Sequence, residues 1–451
     1  MAICPSSSSE PTGLCVLQDI VASHKRGSPV GIYSICSAHA FVLDAAVRQA
    51  AQDGSPLLVE STSNQVNQTG GYTGMTPAAF RGVVQGMAGE AGLRPERLIL
   101  GGDHLGPYPW RREPAARAMD QTRALVRDCV QAGYSKLHLD ASIRCADDPP
   151  DRPLDRSVVA GRTAELCRVA EEAYRASGLG GPAPCYVVGT EVPSPGGAQR
   201  ETDGPDVTRV EDAQETIEMT CAAFAKYGLQ AAWERVIALV VQPGVEFGDD
   251  ALAEYDRLTA APLSRFIEAT DRLVFEVHST DFQTREALRA LVEDHFAILK
   301  VGPALTFAFR EAVFALALVE GEWLADQRGA ELSDLRHVLD AGMQARPEYW
   351  QDYYTGSPAR LRVARAFSYS DRVRYYWPDP AVQHALARLL ANLELHPVPP
   401  SLLSQFLPEQ YERVRAGRLG NRPHDLIADK IRSILADYAW ACGYDQDPRS
   451  R

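Results

Sequence analysis

The 451-residue sequence lacks several features by which protein classes are often recognised. Its nine cysteines include no CxxC pair, which argues against a zinc knuckle and predicts reduced thiols, not a disulfide framework. No apolar run approaches the roughly 20 residues of a membrane span, and the start, MAICPSSSSEPTG, lacks the basic and apolar regions of a signal peptide. The formal net charge of −13 leaves no basic excess for nucleic-acid phosphates. We therefore expect a soluble cytoplasmic protein with neither a membrane nor a nucleic-acid partner.

What the sequence does contain is a regular alternation of short apolar runs and segments with helical periodicity. The eight β-rich runs cover residues 30–36, 57–60, 98–100, 136–140, 186–188, 236–241, 273–277 and 296–301. Such an alternation is typical of an α/β protein with a (β/α)8 TIM barrel. We predict a flexible N-terminus over 1–15, the barrel over 16–320 and a C-terminal helical cap over 321–451.

Polar side chains follow nearly every predicted strand, and in a parallel barrel they share one face. They are Glu60, Asn64, Gln65, Asp103, His104, His138, Asp140, Glu191, Gln242, His278, Asp281 and Lys300. Imidazole, carboxylate and amide groups at one rim suit a divalent metal, and they equally suit a polyhydroxylated ligand that forms many hydrogen bonds. For His138 and Asp140, which alternate with leucines, the barrel interior is the alternative location. A purely structural role for all twelve groups is improbable, because burying polar groups costs free energy unless they are paired.

Long motifs in the chain resemble the tagatose-bisphosphate aldolase accessory-subunit family. They are 99–107 (ILGGDHLGP), 136–142 (KLHLDAS), 189–197 (GTEVPSPGG), 241–247 (VQPGVEF), 276–281 (EVHSTD) and 298–307 (ILKVGPALTF), together with the loop 61–77 and the segment 369–378. The resemblance covers nearly the whole chain after about residue 16. It implies either a non-catalytic partner of a zinc-dependent aldolase or a C4-epimerase of tagatose or tagatose 6-phosphate.

A more distant resemblance to class II aldolases implies individual roles. The Asp103–His104 pair is similar to the aldolase pair in which the aspartate moves a proton and the histidine binds metal. The resemblance implies metal ligands at His104, Glu191, Gln242 and His278, catalytic roles for Asp103, Asp140 and Glu191, and substrate contacts from Glu60, Asn64, Gln65, Ser142, Asp281 and Lys300. The chain departs from the aldolase pattern at two points. Gln242 replaces a metal histidine, and Asp281 stands in the loop that holds phosphate in aldolases, where it would repel a phosphate.

The function that we predict is a metal-dependent ketohexose or ketohexose-6-phosphate 4-epimerase that interconverts tagatose and fructose. Simple deprotonation cannot invert C4 of a 2-ketose, because the C4 hydrogen is not next to the carbonyl. Reversible retro-aldol cleavage of the C3–C4 bond can do so, and it needs a Lewis acid and an acid/base at the C4 hydroxyl. We expect zinc as the metal, with manganese, nickel or cobalt as alternatives, and Asp140 as a second acid/base or an orienting carboxylate.

The alternative function is a non-catalytic subunit that stabilises a zinc-dependent tagatose-1,6-bisphosphate aldolase. Under that hypothesis the partner is the aldolase catalytic subunit, whereas the enzyme hypothesis requires only a ketose or a ketose phosphate. A sugar kinase is disfavoured, because the sequence contains no GxxxxGK[ST] loop. In either case we expect a homo-oligomer.

Overall fold

The computed structural model describes residues 13–178, 183–189, 205–327 and 329–444, and it confirms the predicted (β/α)8 barrel. The strands are β1 (Ile32–Ile35), β2 (Leu57–Thr62), β3 (Leu98–Leu105), β4 (Lys136–Leu139), β5 (Cys185–Val188), β6 (Val236–Val241), β7 (Glu246–Phe247), β8 (Leu252–Ala253), β9 (Val274–Val277) and β10 (Ile298–Val301). Eight of them close a parallel barrel in the order β1-β10-β9-β6-β5-β4-β3-β2, while β7 and β8 form a small antiparallel hairpin. The carboxyl ends of the eight barrel strands therefore share one face.

Helices surround the barrel and continue to the end of the described chain. They are α1 (Gly13–Lys25), α2 (Ala40–Asp53), α3 (Pro77–Glu90), α4 (Ala115–Gln131), α5 (Arg156–Ser177), α6 (Val210–Lys226), α7 (Gln230–Trp233), α8 (Arg257–Ala269), α9 (Arg285–Glu293), α10 (Pro303–Leu324), α11 (Leu335–Ala345), α12 (Pro358–Phe367), α13 (Pro380–Leu395), α14 (Pro400–Phe406), α15 (Pro408–Arg415) and α16 (Pro423–Ala441). Within the described ranges, no helix is both long and apolar enough to span a bilayer. Residues 1–12 of the predicted flexible N-terminus lie outside the described residues.

Helix α1 covers the amino-terminal end of the barrel. Its side chains Leu17, Ile20 and Val21 are buried in one apolar cluster with residues of the strands, including Ile32 and Leu58. This cluster contains only apolar side chains, so burying it stabilises the closed end without needing hydrogen bonds. The polar groups of the barrel are therefore left to the middle and the opposite, carboxyl end.

The C-terminal helices pack directly on the barrel wall. Helix α16 contacts α2, α9 and α10, and it buries Ile427, Ile431 and Leu435. The Tyr438 hydroxyl at its end donates to the carbonyl of Thr280, which follows strand β9, at 2.9 Å. A contact of this kind ties the end of the chain to the face that carries the carboxyl ends of the strands.

Strand β3 is longer than its apolar run predicts, because two glycines let it continue past Leu100. Gly101 pairs in register with Glu60 on one side and with Lys136 on the other. A Cβ at Gly101 would lie 2.9 Å from Cγ of Glu60, so only glycine leaves room for that carboxylate. The register shifts between Gly102 and Leu105, and His104 has φ 47°. This bulge ends the alternation of the strand, and both Asp103 and His104 line the same cleft.

Candidate metal centre and ligand cleft

A cleft with about 950 Å³ of empty space opens at the carboxyl ends of the barrel strands. The barrel supplies most of its walls, and the segment after α12 supplies the rest. Its polar lining includes Ser37, His39, Thr62, Asn64, Gln65, Thr73, Asp103, His104, His278, Asp281, Lys300, Thr306 and Arg374. The polar lining suits a small hydrophilic ligand.

Three buried imidazoles converge at the floor of this cleft. The ring centroids of His104, His138 and His278 lie 5.2 Å (His104–His138), 4.8 Å (His104–His278) and 5.1 Å (His138–His278) apart. All three side chains are less than a tenth exposed. Three strands, β3, β4 and β9, therefore bring together residues that are up to 174 positions apart in sequence.

Two carboxylates orient these rings from behind. Asp140 Oδ2 lies 2.8 Å from His104 Nδ1, and Asp103 Oδ1 lies 2.9 Å from His138 Nδ1. A ring that donates its Nδ1 hydrogen to a carboxylate keeps a lone pair on Nε2, which is the arrangement of metal-binding histidines. The Nε2 atom of His138 is buried, and no group of the described residues forms a hydrogen bond with it. An orphaned buried nitrogen of this kind costs free energy unless another group, such as a metal, occupies it.

The barrel interior around the imidazoles holds an unbalanced set of buried charges. The carboxylates are Glu60, Asp103, Asp140 and Glu276, and the ammonium groups are Lys136 and Lys300. Among the described residues, these four carboxylates and two ammonium groups leave an excess of two negative charges when the imidazoles are neutral and of one when His104 is protonated. Because buried charges need compensation, a divalent cation would neutralise this cluster.

The pKa values of the histidines follow from the same environment. Burial lowers the pKa of His104, but the carboxylates of Asp103 and Asp140 outweigh burial and raise it to about 9. Burial lowers the pKa of His278 below its usual value, which keeps this ring neutral near pH 7. Burial opposes ionisation of Asp103, yet His104 and His138 hold its pKa well below the usual range. Without a metal the cluster therefore takes up a proton at His104, as expected where negative charge is in excess.

The residues present fit a divalent ion. One atom from each of Asp103, His138, Glu276 and His278 lies within 4.8 Å of the others. An imidazole nitrogen lies about 2.1 Å from a bound zinc ion, so rings that share one ion have centroids roughly 5 Å apart, as the three rings here do. Nitrogen and carboxylate ligands suit zinc, manganese, cobalt and nickel alike. We infer that His138 and His278, with one or both of the carboxylates Asp103 and Glu276, would hold the ion, and that His104 would lie beside it.

The structure brings seven of the predicted site residues to the cleft: Asn64, Gln65, Asp103, His104, His278, Asp281 and Lys300. The Gln65 side chain also links two segments of the cleft wall, because its amide oxygen accepts from Thr62 N and its amide nitrogen donates to Cys36 O. Glu191 lies outside the described residues.

Four predicted residues have positions that differ from their predicted roles. Glu60 is fully buried beneath the cleft with Lys136 and Lys300, so it cannot contact a substrate. Asp140 is 1% exposed behind His104, a position that departs from the predicted acid/base and fits the orienting carboxylate that was predicted as its alternative. Ser142 donates to Asp140 and lines a neighbouring groove.

Gln242 is the fourth of these residues, and the structure gives its amide oxygen another use. That oxygen accepts from the backbone N–H groups of Gly244 and Val245 at 2.8 and 2.9 Å, which stabilises the turn after β6. The oxygen that would bind a metal is thus already engaged, and Gln242 does not line the cleft. His138, whose location the sequence left open, is the third imidazole instead.

Sequence reasoning missed Lys136 and Glu276 as members of the cluster. The available signal was a charged residue inside an apolar strand, in KLHL and in VFEV. Because a strand buried on both faces has little use for a lone charge, two such charges in one barrel indicate a pair. The cleft residues Arg374 and Tyr375 fall within the predicted helical cap over 321–451, and nothing local in the sequence indicates that they reach the cleft.

The fold and the cluster define a TIM-barrel protein with a candidate metal centre at the carboxyl ends of its strands. The chain belongs to the D-tagatose-1,6-bisphosphate aldolase subunit GatZ/KbaZ-like family, whose model matches residues 17–443. Its membership confirms the resemblance drawn from the motifs and places the protein among aldolase-related proteins.

A crystal structure from Sinorhizobium meliloti 1021, described as a probable tagatose 6 phosphate kinase, is 43% identical with a TM-score of 0.82 and covers 91% of this chain and 100% of its own. The YdjI aldolase from Escherichia coli K12 is 13% identical with a TM-score of 0.42, covering 83% of this chain and 95% of its own. The fructose-bisphosphate aldolase Fba from Campylobacter jejuni is 12% identical with a TM-score of 0.47, and the match covers 85% of this chain and 93% of its own. Similarity as low as that to the two aldolases carries no argument about function.

Proposed function

We propose that this chain is a metal-dependent ketohexose or ketohexose-6-phosphate 4-epimerase, acting between tagatose and fructose configurations by retro-aldol and aldol steps. The observation that supports the proposal is the buried histidine–carboxylate cluster, which carries an excess of negative charge and opens to a polar cleft. A non-catalytic subunit that only stabilises a partner does not require such a cluster, and burying these charges costs free energy.

The proposed reaction inverts C4 without removing its hydrogen. A base takes the proton of the C4 hydroxyl, the C3–C4 bond breaks, and its electrons pass to the C2 carbonyl as an enediolate forms. The aldehyde fragment rotates, C3 attacks its opposite face, and the proton returns to the new C4 oxygen. A bound divalent ion would supply the Lewis acid for the C2 and C3 oxygens.

The chain's own residues supply binding and proton transfer. Asp103 lines the cleft and stays a carboxylate at neutral pH, which is the form that accepts the hydroxyl proton. Lys300 donates to Asp103 at 2.9 Å and fixes its position. Asn64 lies on the cleft wall, where its amide nitrogen is placed to donate to a sugar hydroxyl, while Gln65, whose amide atoms bind Thr62 N and Cys36 O, shapes that wall. Asp140 keeps the His104 ring oriented through the Nδ1 contact.

The direct test uses the purified chain alone. It is incubated with fructose, tagatose and their 6-phosphates, with and without a chelator, and the sugars are identified by NMR. We expect C4 interconversion that a chelator abolishes and a divalent metal restores. If the metal-loaded chain interconverts none of these sugars, the epimerase proposal fails.

The second candidate is a non-catalytic subunit of a tagatose-1,6-bisphosphate aldolase, which the family's description as an aldolase subunit favours. It makes a different prediction: the chain raises the thermal stability of a separate aldolase chain, and His138→Ala leaves that effect intact. The epimerase proposal requires the same variant to lose turnover. Measuring both properties on one variant separates the two candidates.

A further inference from the structure

One part of the cleft wall lies where the seventh and eighth barrel strands, β9 and β10, finish. In TIM barrels the loops after these strands, with a helix N-terminus, commonly bind a phosphate. Here helix α10 begins at Pro303 directly after β10, and backbone N–H groups at its start face the loop that follows β9. The chain thus has the backbone arrangement of a phosphate site.

An internal carboxylate already occupies that arrangement. Oδ1 of Asp281 accepts from the N–H groups of Gly302 and Ala304 at 2.9 and 2.8 Å. Asp281 is 3% exposed and lines the cleft. Burial raises its pKa to about 6, so the carboxyl group is mostly ionised at neutral pH. A phosphate at this place would lose two donors and face a negative charge at close range.

The lysine and the arginine that line the cleft are also engaged. Arg374 donates to the carbonyl oxygens of Ser370 and Asp371 and to the hydroxyl of Tyr375. The ammonium group of Lys300 lies among the carboxylates of the buried cluster described above. The positive charge of Arg374 acts on Asp281, whose pKa it lowers, so this cation already compensates the internal carboxylate, and a phosphate binds best to uncommitted donors.

We propose that Asp281 makes the cleft select an unphosphorylated ketose, whose terminal carbon carries a hydroxyl group, over the corresponding ketose 6-phosphate. The inference rests on the proposed function, because it takes a ketose as the ligand. It goes further by naming the substrate class and the residue that determines it. A neutral ketose can bind while Asp281 keeps its contacts with the start of α10, whereas a phosphate at this place would compete for the same N–H groups.

The test measures binding, not turnover. Fructose and fructose 6-phosphate are titrated into the metal-loaded chain by calorimetry, for the wild type, Asp281→Asn and Asp256→Asn. An asparagine at position 281 keeps an oxygen that accepts the two N–H groups but removes the charge. Asp256 is a matched control, since it caps helix α8 through the N–H of Leu258 and does not line the cleft.

We expect the wild type and Asp256→Asn to bind fructose at least about tenfold more tightly than fructose 6-phosphate. In Asp281→Asn the ratio of fructose affinity to fructose 6-phosphate affinity should fall about tenfold or more, chiefly because the variant binds fructose 6-phosphate more tightly. Equal affinity of the wild type for both sugars overturns the inference, and this comparison needs no variant to fold. An unchanged ratio in folded Asp281→Asn also overturns it. Binding of neither sugar contradicts the proposed function itself.

Discussion

The most demanding prediction concerns Lys136, a fully buried lysine in strand β4. Its ammonium group contacts Glu60 Oε1 and lies 2.6 Å from Glu276 Oε2, and both carboxylates are also fully buried. Lys136→Met keeps an unbranched side chain of similar length and removes only the charge. Breaking a buried ion pair costs about 3–5 kcal/mol, because the remaining charge is uncompensated. Lys300 still contacts both carboxylates in the variant, so we expect the free energy of unfolding to fall by about 3 kcal/mol, the lower end of that range.

The assay is equilibrium urea unfolding of the metal-free protein, followed by circular dichroism. Arg48→Met is the control, because the Arg48–Asp44 pair is exposed and such pairs contribute at most about 1 kcal/mol. Adding Glu276→Gln to Lys136→Met should recover part of the loss, since one buried charge disappears. A loss below about 1 kcal/mol for Lys136→Met, equal to that of the control, would refute the reasoning about buried charge.

Three further predictions follow from the same structure. His138→Ala should lower the affinity for a divalent metal about a hundredfold, as measured by metal titration. His39 lines the cleft but lies outside the cluster, so His39→Ala should leave the metal affinity unchanged. An equal loss of affinity in both variants would contradict the assignment of His138 as a ligand. Burial lowers the pKa of His24 to about 4, so the unfolded chain binds a proton between pH 6.5 and 4 that the folded chain excludes. Stability should therefore fall by roughly 2–3 kcal/mol as the pH drops through that window, and His24→Gln should flatten this slope in urea titrations. Asp371→Ala leaves the buried Arg310 without its carboxylate partner and should lower the free energy of unfolding by about 3 kcal/mol, against about 1 kcal/mol for loss of the α13 helix cap in Asp379→Ala. Equal losses would contradict the reasoning that Asp371 compensates the buried charge of Arg310.

The barrel could be predicted from the sequence because its signal is local and repeated. Each strand is a short apolar run followed by a helical pattern, and the residues just past each strand must meet at one face. Asp103, His104 and His278 were found in this way, since their positions depend only on strand ends. The sequence does not predict the length of β3, because its extension past Leu100 involves the close approach of Gly101 to Glu60, which no local pattern shows.

The departures within the site have a common physical cause. Gln242 and Asp281 follow strands as predicted, yet their oxygens accept backbone N–H groups of the turn after β6 and of α10. A sequence shows that a polar side chain is near a rim, but not whether a neighbouring backbone donor already uses it. The roles of Lys136 and Glu276 depend on pairing across the barrel, which spacing along the chain does not encode.

The most direct test of the central claim is the epimerisation of a ketose by the metal-loaded chain in D2O, followed by NMR. Retro-aldol cleavage never breaks the C4–H bond, so the proposed function predicts interconversion of fructose and tagatose with protium retained at C4. Removal and return of the C4 hydrogen would instead place deuterium there. Deuterium at C4, or no interconversion at all, would contradict the claim that this cleft carries out reversible aldol chemistry.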